Sequence, residues 1–235
     1  MNKYKDIRSP WFRNLKHVLR LFIRKPGFIY LGEKMDGQQA FFLSNHVGAF
    51  APLILELYGN HPFRFWGTYE MNSSPGEVYK YLSDVYFHQK KHMNLFVARC
   101  LSFFAAPFVY LFYRGLNLIS TYPDLRFKRT LNETLKTLRE KQSIVIFPEQ
   151  SEDGYFDELK MFHNGFIFIA ERALEEGMDL PVYLAYYRKR DHKYIVDRPV
   201  MISELLRDKE PRARIAERLC RRCNELGKIK NQCPL

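Results

Sequence analysis

The stretch Ala40-Phe41-Phe42-Leu43-Ser44-Asn45-His46-Val47-Gly48-Ala49-Phe50-Ala51-Pro52 joins an apolar run to a polar cluster. A second stretch of the same kind, Ser143-Ile144-Val145-Ile146-Phe147-Pro148-Glu149-Gln150-Ser151, follows later in the chain. Each apolar run has the length of a buried strand, and each polar cluster stands where that strand would end. Open α/β sheets bind their ligands at the carboxyl ends of strands. The sequence therefore predicts a site that unites the imidazole of His46 with the carboxylate of Glu149.

The order and spacing of four segments resemble the glycerolipid acyltransferase (1-acyl-sn-glycerol-3-phosphate acyltransferase, PlsC-like) family. The first family motif is Asn-His, four further residues and an Asp. Asn45-His46 matches it, with Ala51 at the Asp position. The family's Phe-Pro-Glu-Gly motif is matched by Phe147-Pro148-Glu149, with Gln150 in place of Gly.

Two further segments complete the resemblance, which spans about residues 38–188. Gly115-Leu116-Asn117-Leu118-Ile119-Ser120-Thr121 stands where the family has a Gly, hydrophobic residues and an Arg, and Thr121 takes the Arg position. Asp179-Leu180-Pro181-Val182-Tyr183-Leu184 is similar to the family's Pro-Val strand.

The resemblance implies a single α/β domain, a central mixed β-sheet wrapped by helices and preceded by an N-terminal amphipathic helix. We expect a membrane-interface helix in residues 1–26, the acyltransferase-like domain in residues 27–200 and a basic helical tail in residues 201–235. A chain of 235 residues is long enough for one such domain. The implied activity moves a fatty acyl group from acyl-CoA or acyl carrier protein to a hydroxyl of a lysophospholipid or similar glycerolipid. The thioester is a co-substrate, and no metal or other cofactor is expected.

Within this activity, His46 is the candidate general base, because imidazole titrates near neutral pH. Asn45 is a supporting residue at the substrate site. Gly48 would let a substrate approach the backbone, and N–H groups at the start of the next helix would stabilise the developing oxyanion. A structural or purely ligand-binding histidine is the alternative for His46.

The resemblance makes Glu149 a second catalytic-site residue, a carboxylate that positions the acceptor. The alternative is that it caps a helix or loop. The remaining residues that we expect at the substrate site are Pro148, Gln150, Ser151, Gly115 and Thr121.

The absence of the motif Asp is the main departure from the family. In serine proteases, loss of the carboxylate that orients the histidine lowers kcat by about 10⁴. Ala51 cannot replace it, so Asp153, Asp157 or Glu158 is the candidate substitute. Without a substitute carboxylate, either a backbone carbonyl orients His46, or the chain is a slow enzyme, or it is an inactive relative that binds lipid.

Phosphate recognition also differs. The family binds the acceptor phosphate with two arginines, and the matching positions here hold Thr121 and Glu152. A hydroxyl lacks the charge of a guanidinium, and a carboxylate repels an anion. Either the acceptor carries no phosphate monoester, or other side chains bind the phosphate. Candidates for that role are Arg114, Arg126, Lys128, Lys160 and His163.

Composition favours a membrane surface. Aromatic residues make up 16% of the chain and the formal net charge is +11, which attracts anionic lipid headgroups, an acidic carrier protein or nucleic acid. The aromatic residues cluster in apolar stretches instead of alternating with basic ones, so nucleic acid is not expected as a partner. Four cysteines without a disulfide framework, and an N-terminus without a signal-peptide core, favour a peripheral protein at the cytoplasmic face of a membrane.

Local patterns predict several elements. Residues 9–25 form an amphipathic helix, either an interfacial anchor or a core-packed helix. Residues 27–32 and 39–43 form a hairpin around residues 34–37. Residues 94–113 form a helix or kinked pair at the surface or along an acyl pocket, with a membrane span as the less favoured alternative. Cys100 packs inside as a small hydrophobe, and residues 211–227 form a basic helix.

Overall fold

The computed structural model of the chain describes residues 8–35, 38–48, 50–59, 63–149 and 157–229. These residues form the mixed α/β fold that the sequence predicts, with a central, mostly parallel sheet flanked by helices. They group into two compact units. Unit 1 holds the described parts of residues 1–24 and 59–145, and unit 2 holds those of residues 25–58, 146–150 and 156–235.

The strands are β1 (Gly27–Tyr30), β2 (Phe41–Ser44), β3 (Phe63–Thr68), β4 (Ile119–Thr121), β5 (Ser143–Ile146), β6 (Pro181–Arg188), β7 (Lys193–Val196) and β8 (Val200–Met201). The helices are α1 (Pro10–Phe22), α2 (Phe50–Tyr58), α3 (Glu70–Ser73), α4 (Pro75–Lys80), α5 (Leu95–Leu116), α6 (Phe127–Arg139), α7 (Gly165–Glu175), α8 (Ile202–Leu205) and α9 (Arg212–Lys228). A π-helical segment, Tyr81–Lys90, follows α4, and a 3-10 turn, Lys189–Asp191, follows β6.

In unit 2 the strand order is β1-β7-β6-β2. β2 and β6 run parallel, from the pair Phe41↔Val182 to the pair Ser44↔Ala185. β7 and β8 are antiparallel to β6, and β1 is parallel to β7. Every residue of β2 and β6 is buried, which is typical of parallel strands covered on both faces.

The predicted basic helix of residues 211–227 is α9, and its apolar face packs against β6 in unit 2. Leu219, Cys223 and Leu226 are among its buried residues. Gly227 lies against the ring of Tyr186, because a Cβ at Gly227 would come 2.8 Å from the Tyr186 Cζ atom. The helix is therefore basic only on its outer face.

The predicted hairpin of residues 27–32 and 39–43 is wrong. β1 pairs with β7, starting at Gly27↔Lys193, and β2 pairs with β6. The difference follows from burial: β2 is buried throughout and pairs with an equally apolar strand, whereas β1 is only partly buried. Both strands exist, but their partners lie more than a hundred residues away in sequence.

In unit 1 the strand order is β5-β3-β4, and both pairings are parallel. α5 is one continuous helix of 22 residues that runs through Pro107, so of the two predicted forms, a helix or a kinked pair, the single helix is present. Cys100, which was predicted to pack inside, is exposed on α5. The prediction is wrong because most of the surface of this apolar helix faces outward in the unit.

The helix predicted in residues 9–25 is α1, which starts with Pro10 after Ser9. Phe12 is fully buried, and its ring centroid lies 5.3 Å from that of Phe112 on α5. Arg8, just before the helix, is also buried and donates hydrogen bonds of 2.6 Å to the carbonyl oxygens of Leu116 and Phe63. These contacts anchor α1 at the C-terminal end of α5.

Candidate functional site

His46 stands two residues beyond the end of β2, in unit 2. The next two residues, Val47 and Gly48, have φ angles of 43° and 64°. Left-handed backbone is costly for a β-branched residue such as Val47, and such residues persist where surrounding contacts fix them. The chain then enters α2 at Phe50. This tight turn leaves the imidazole half-buried at the carboxyl end of the strand.

The structure brings Glu149 to His46. The Glu149 side chain is buried, and its Oε2 atom accepts a hydrogen bond of 2.9 Å from the His46 backbone N–H, across 103 residues of sequence. Glu149 itself is fixed by a β-bridge to Phe162. The preceding Pro148 is buried, and its carbonyl accepts a bond of 2.7 Å from the His163 N–H. The carboxylate therefore holds the backbone of the residue whose imidazole is the candidate base.

Phe147 contacts the imidazole directly. The ring centroids of His46 and Phe147 are 4.9 Å apart, with an angle of 67° between the ring planes. Edge-to-face geometry of this kind is favourable for aromatic rings. The contact gives one face of the site an apolar wall.

Asn45 is fully buried, and both ends of its side-chain amide bind the backbone of Tyr187 on β6. Its Oδ1 accepts a bond of 2.6 Å from the Tyr187 N–H, and its Nδ2 donates a bond of 3.1 Å to the Tyr187 carbonyl. The amide thus takes the place of a backbone group and continues the β2–β6 pairing beyond Ser44. Asn45 fixes the position of the neighbouring His46.

At position 51, where the family has an Asp, Ala51 is fully buried. The hydroxyl of Tyr194 donates a bond of 2.7 Å to the Ala51 carbonyl. Burial raises the pKa of Tyr194 well above its usual range, so this hydroxyl stays protonated. Position 51 offers no carboxylate, and a buried tyrosine lies beside it.

The predicted substitutes for that carboxylate have other contacts. The Asp157 backbone carbonyl accepts a bond of 2.6 Å from the Tyr186 hydroxyl, and its side chain is exposed. The Glu158 carboxylate pairs with Lys228 at 3.2 Å, also at the surface. Asp153 lies outside the described residues, as do Gln150, Ser151 and Glu152.

Two cysteines of α9 lie close to the site. Burial raises the pKa of Cys220 to about 11 and that of Cys223 well above its usual range, and the charge of Glu149 adds to both effects. The Cys223 thiol donates to the Ala185 carbonyl at 3.4 Å. Both thiols are therefore protonated at neutral pH and act as packing residues. Within the described ranges, no group of three or more His, Cys, Asp or Glu side chains is placed to hold a metal ion.

Gly115 and Thr121 belong to unit 1. Gly115 lies beneath Phe12, since a Cβ there would come 2.0 Å from the Phe12 Cδ2 atom. The Thr121 hydroxyl donates a bond of 3.0 Å to the Gly67 carbonyl in the paired strand. Both residues have packing or sheet contacts in their unit, and their predicted contact with substrate stays a prediction.

Sequence reasoning missed the basic cluster at the carboxyl end of β6. Arg188-Lys189-Arg190 stands at the carboxyl end of the strand next to β2. The rule that located His46 and Glu149, a polar cluster directly after an apolar strand, also applies to this cluster. It could have been found from the sequence by the same reasoning.

Comparison with known proteins gives a likeness of fold. No family model matches the chain, and no curated protein matches it in sequence. Among solved structures, the chain is similar to the 1-acyl-sn-glycerophosphate (LPA) acyltransferase PlsC from Thermotoga maritima, with a TM-score of 0.51 and 17% sequence identity. The similarity covers 94% of this chain and 81% of that one. The fold described above is therefore shared with an acyltransferase over nearly the whole chain.

Proposed function

We propose that the protein transfers a fatty acyl group from a thioester to a hydroxyl of a glycerolipid-like acceptor at a membrane surface. The observation that carries this proposal is the fixing of His46 at the end of β2 by Glu149 and Asn45. The likeness of fold to an acyltransferase supports the same reaction class.

In this reaction the His46 imidazole takes the proton of the acceptor hydroxyl as its oxygen attacks the thioester carbonyl. A tetrahedral intermediate forms, and its oxyanion needs nearby hydrogen-bond donors. The backbone N–H groups of the left-handed turn at Val47 and Gly48 lie next to His46 in the chain. Collapse of the intermediate forms the ester, breaks the carbon–sulfur bond and returns the proton from the imidazolium to the leaving thiolate.

Glu149 and Asn45 are positioning residues in this mechanism. Because the Glu149 carboxylate binds the backbone of His46, it fixes the origin of the imidazole side chain. The donor would be acyl-CoA or acyl carrier protein, and the acceptor a lysophospholipid or related lipid.

We also propose a peripheral location at the cytoplasmic face of a membrane, and the exposed apolar surface of unit 1 supports contact with lipid. α1 and α5 expose large apolar side chains: Trp11, Val18, Leu21, Phe22, Phe96, Val97, Leu101, Phe103, Phe104, Phe108 and Leu111. Among the described helices, α5 alone is long and apolar enough to cross a bilayer, a test that core helices also pass. Only 17% of its most apolar 18-residue window is buried, unlike a core helix. The net charge of +11 would add attraction to anionic lipids.

A lipid-binding protein without activity is the second candidate function. The observation in its favour is position 51, where a buried alanine beside the Tyr194 hydroxyl stands in place of the motif Asp.

One assay separates the two candidates. Purified protein with liposomes would be given a labelled long-chain acyl thioester, either acyl-CoA or acyl carrier protein, and a panel of lyso-lipid acceptors. We expect His46→Ala to lower kcat/KM by about 10²–10⁴ because the base is lost. His88→Ala, a change at an exposed histidine of unit 1, is the matched control and should retain activity. Activity that survives in His46→Ala would reject His46 as the base. No turnover with either donor, together with intact lipid binding, would favour the second candidate.

A further inference from the structure

The carboxyl end of β6 places a basic cluster beside the His46 turn. β6 is parallel to β2, so both strands end at the same edge of the unit 2 sheet. Tyr187, near the end of β6, is bound by Asn45, the neighbour of His46. Two residues later, the Lys189 Nζ atom lies 5.9 Å from the ring centroid of Phe50, the first residue of α2. The residues that follow β6 therefore adjoin the loop that carries the candidate base.

The three basic residues at the end of β6 have different roles. Arg188 is buried, and two of its guanidinium nitrogens, at 2.7 Å each, bind the Asp191 carboxylate. Its third nitrogen binds the carbonyls of Gly227 and Ile229 at the end of α9. The guanidinium of Arg188 holds the pKa of Asp191 below its usual range, so the pair is ionised at neutral pH. Arg188 is thus committed to the fold.

Lys189 and Arg190 are exposed instead. Among the ion pairs of the described residues, none includes either of these two side chains, because Asp191 turns back to Arg188 and Lys193. The Lys189 ammonium approaches the Phe50 ring, and neither charge is neutralised by an ion pair within the described residues.

These two cations line a cleft of about 530 Å³ in unit 2, together with Tyr186 and Lys228. Asp157 and Glu158 also line it, and Glu158 already pairs with Lys228. Burial raises the pKa of the Tyr186 hydroxyl to about 12; the charges of Asp157 and Glu149 add to this rise, and that of Arg190 opposes it. The cleft adjoins the candidate site through Lys189, which lines the cleft and whose Nζ atom lies near the ring of Phe50.

We propose that Lys189 and Arg190 bind a phosphate group of the substrate in this cleft. This inference rests on the proposed acyl transfer, and it assigns the anion-binding role that Thr121 and Glu152 cannot fill. A guanidinium makes paired hydrogen bonds to phosphate oxygens, and an ammonium adds a flexible point charge. The phosphate belongs either to the headgroup of the acceptor or to the acyl donor.

The test measures binding to the full-length protein by calorimetry, apart from turnover. The probes form two pairs: short-chain lysophosphatidate against short-chain monoacylglycerol, which lacks the phosphate, and CoA against pantetheine, which lacks the whole phosphorylated nucleotide. The variants are Lys189→Ala/Arg190→Ala and Arg190→Lys. Arg214→Ala/Arg221→Ala removes the same charge from the exposed face of α9 and serves as the matched control.

We expect Lys189→Ala/Arg190→Ala to weaken the binding of one phosphate-bearing probe by about 100-fold, since two charge-assisted hydrogen bonds are lost. Arg190→Lys should weaken it by about 10-fold, because charge remains but the paired geometry does not. The control variant and the phosphate-free probes should be unaffected. Loss of lysophosphatidate binding identifies the acceptor as the source of the phosphate, and loss of CoA binding identifies the donor.

Unchanged binding of both phosphate-bearing probes in the double variant would overturn the inference, as would an equal loss in the control. The failure of each proposal can be recognised separately. A wild-type protein that binds a phosphate probe through these residues but transfers no acyl group would retain the phosphate site and reject the transferase. Transfer by wild type with unaltered probe binding in the variant would reject the phosphate site alone.

Discussion

The side-chain amide of Asn45 makes the hydrogen bonds that a backbone peptide group would make in a sheet. In a parallel sheet each strand residue offers one N–H and one carbonyl to its neighbours, and a primary amide offers the same two groups. Asn45 presents both to Tyr187 from a fully buried position. Few other side chains carry a donor and an acceptor in this arrangement, so the residue type at this position is tightly constrained.

Replacing Asn45 should therefore destabilise unit 2 and slow the reaction. Asn45→Ala leaves two buried backbone groups of Tyr187 without partners, and we expect about 3 kcal/mol less free energy of unfolding. Asn45→Asp should cost at least as much, because a carboxylate oxygen would face the Tyr187 carbonyl. Urea denaturation measures both, and kcat should fall more than KM rises because His46 loses its position.

The exposed Asn72→Ala change is the control for this prediction and should alter stability by no more than about 0.5 kcal/mol. An Asn45→Asp variant as stable as wild type would show that the Nδ2 bond to the Tyr187 carbonyl contributes nothing.

At the scale of single residues, the sequence predicted which residues meet but not how each is used. The strand-end rule placed His46 and Glu149 together, and the structure joins them through a backbone N–H. Asn45 was predicted as a supporting residue at the substrate site, which stays a prediction, and the structure adds that its amide binds Tyr187, 142 residues away. Local patterns contain no information about a partner at that distance.

At the scale of the elements, α1 and α5 pack together where the large Phe12 side chain lies against Gly115, which has no side chain. The ring of Phe12 occupies the space above Gly115, and Arg8 caps the carbonyl of Leu116 one residue further on. Glycine inside a helix is unfavourable by about 0.5–1 kcal/mol relative to alanine. Its presence near the end of α5 is explained by the close approach of the aromatic ring.

Whether Gly115→Ala stabilises or destabilises the protein should therefore depend on Phe12. In wild type, the added methyl would overlap the ring, and we expect a loss of about 1–3 kcal/mol of stability. In a Phe12→Ala background the ring is gone, and the same change should stabilise by about 0.5–1 kcal/mol through helix propensity. A double-mutant cycle in urea measures the reversal.

Gly76→Ala in α4 is the matched control, since the nearest atom to its added Cβ is 3.8 Å away. It should be neutral or mildly stabilising in both backgrounds. If Gly115→Ala cost the same with and without Phe12, the ring contact would not determine the choice of glycine.

The elements were predicted better than their pairing. Apolar runs located β2 and β5, the likeness to the family's Pro-Val strand located β6, and the basic segment of residues 211–227 forms the predicted helix, α9. These signals are local in the sequence. The hairpin failed because β1 finds its partner in β7. The prediction that Cys100 is buried was wrong because burial was inferred from apolar neighbours, and those neighbours are themselves exposed on α5.

At the scale of the whole molecule, exposed apolar surface and net positive charge should act together on lipid. Phe104 and Phe108 are one helical turn apart on α5 and are 72% and 75% exposed. Insertion of each ring into a bilayer would contribute about 1.5–3 kcal/mol. The charge of +11 would add an attraction that salt screens.

Phe104→Gln/Phe108→Gln should accordingly reduce partitioning onto anionic vesicles by about 100-fold or more, without changing the charge. Sedimentation with vesicles at low and high salt measures this effect. High salt should weaken vesicle binding of the wild type and of the variant by the same factor, because both carry the same charge. Leu125→Gln, at a loop position that is 99% exposed, is the control and should bind as wild type does. Equal binding of all three proteins would exclude this face of α5 from lipid contact.

The long sequence separation between contacting residues of unit 2 also determines when these contacts can form during synthesis of the chain. His46 emerges early in synthesis, but the residue that clamps its neighbour is made 142 residues later. At a translation rate of about 5–20 residues per second, that interval lasts about 7–30 s. For all of that time a nascent chain carries its candidate base without the strand that positions it. A fragment of the chain that ends before β6 therefore lacks the contact that fixes Asn45 beside the candidate base.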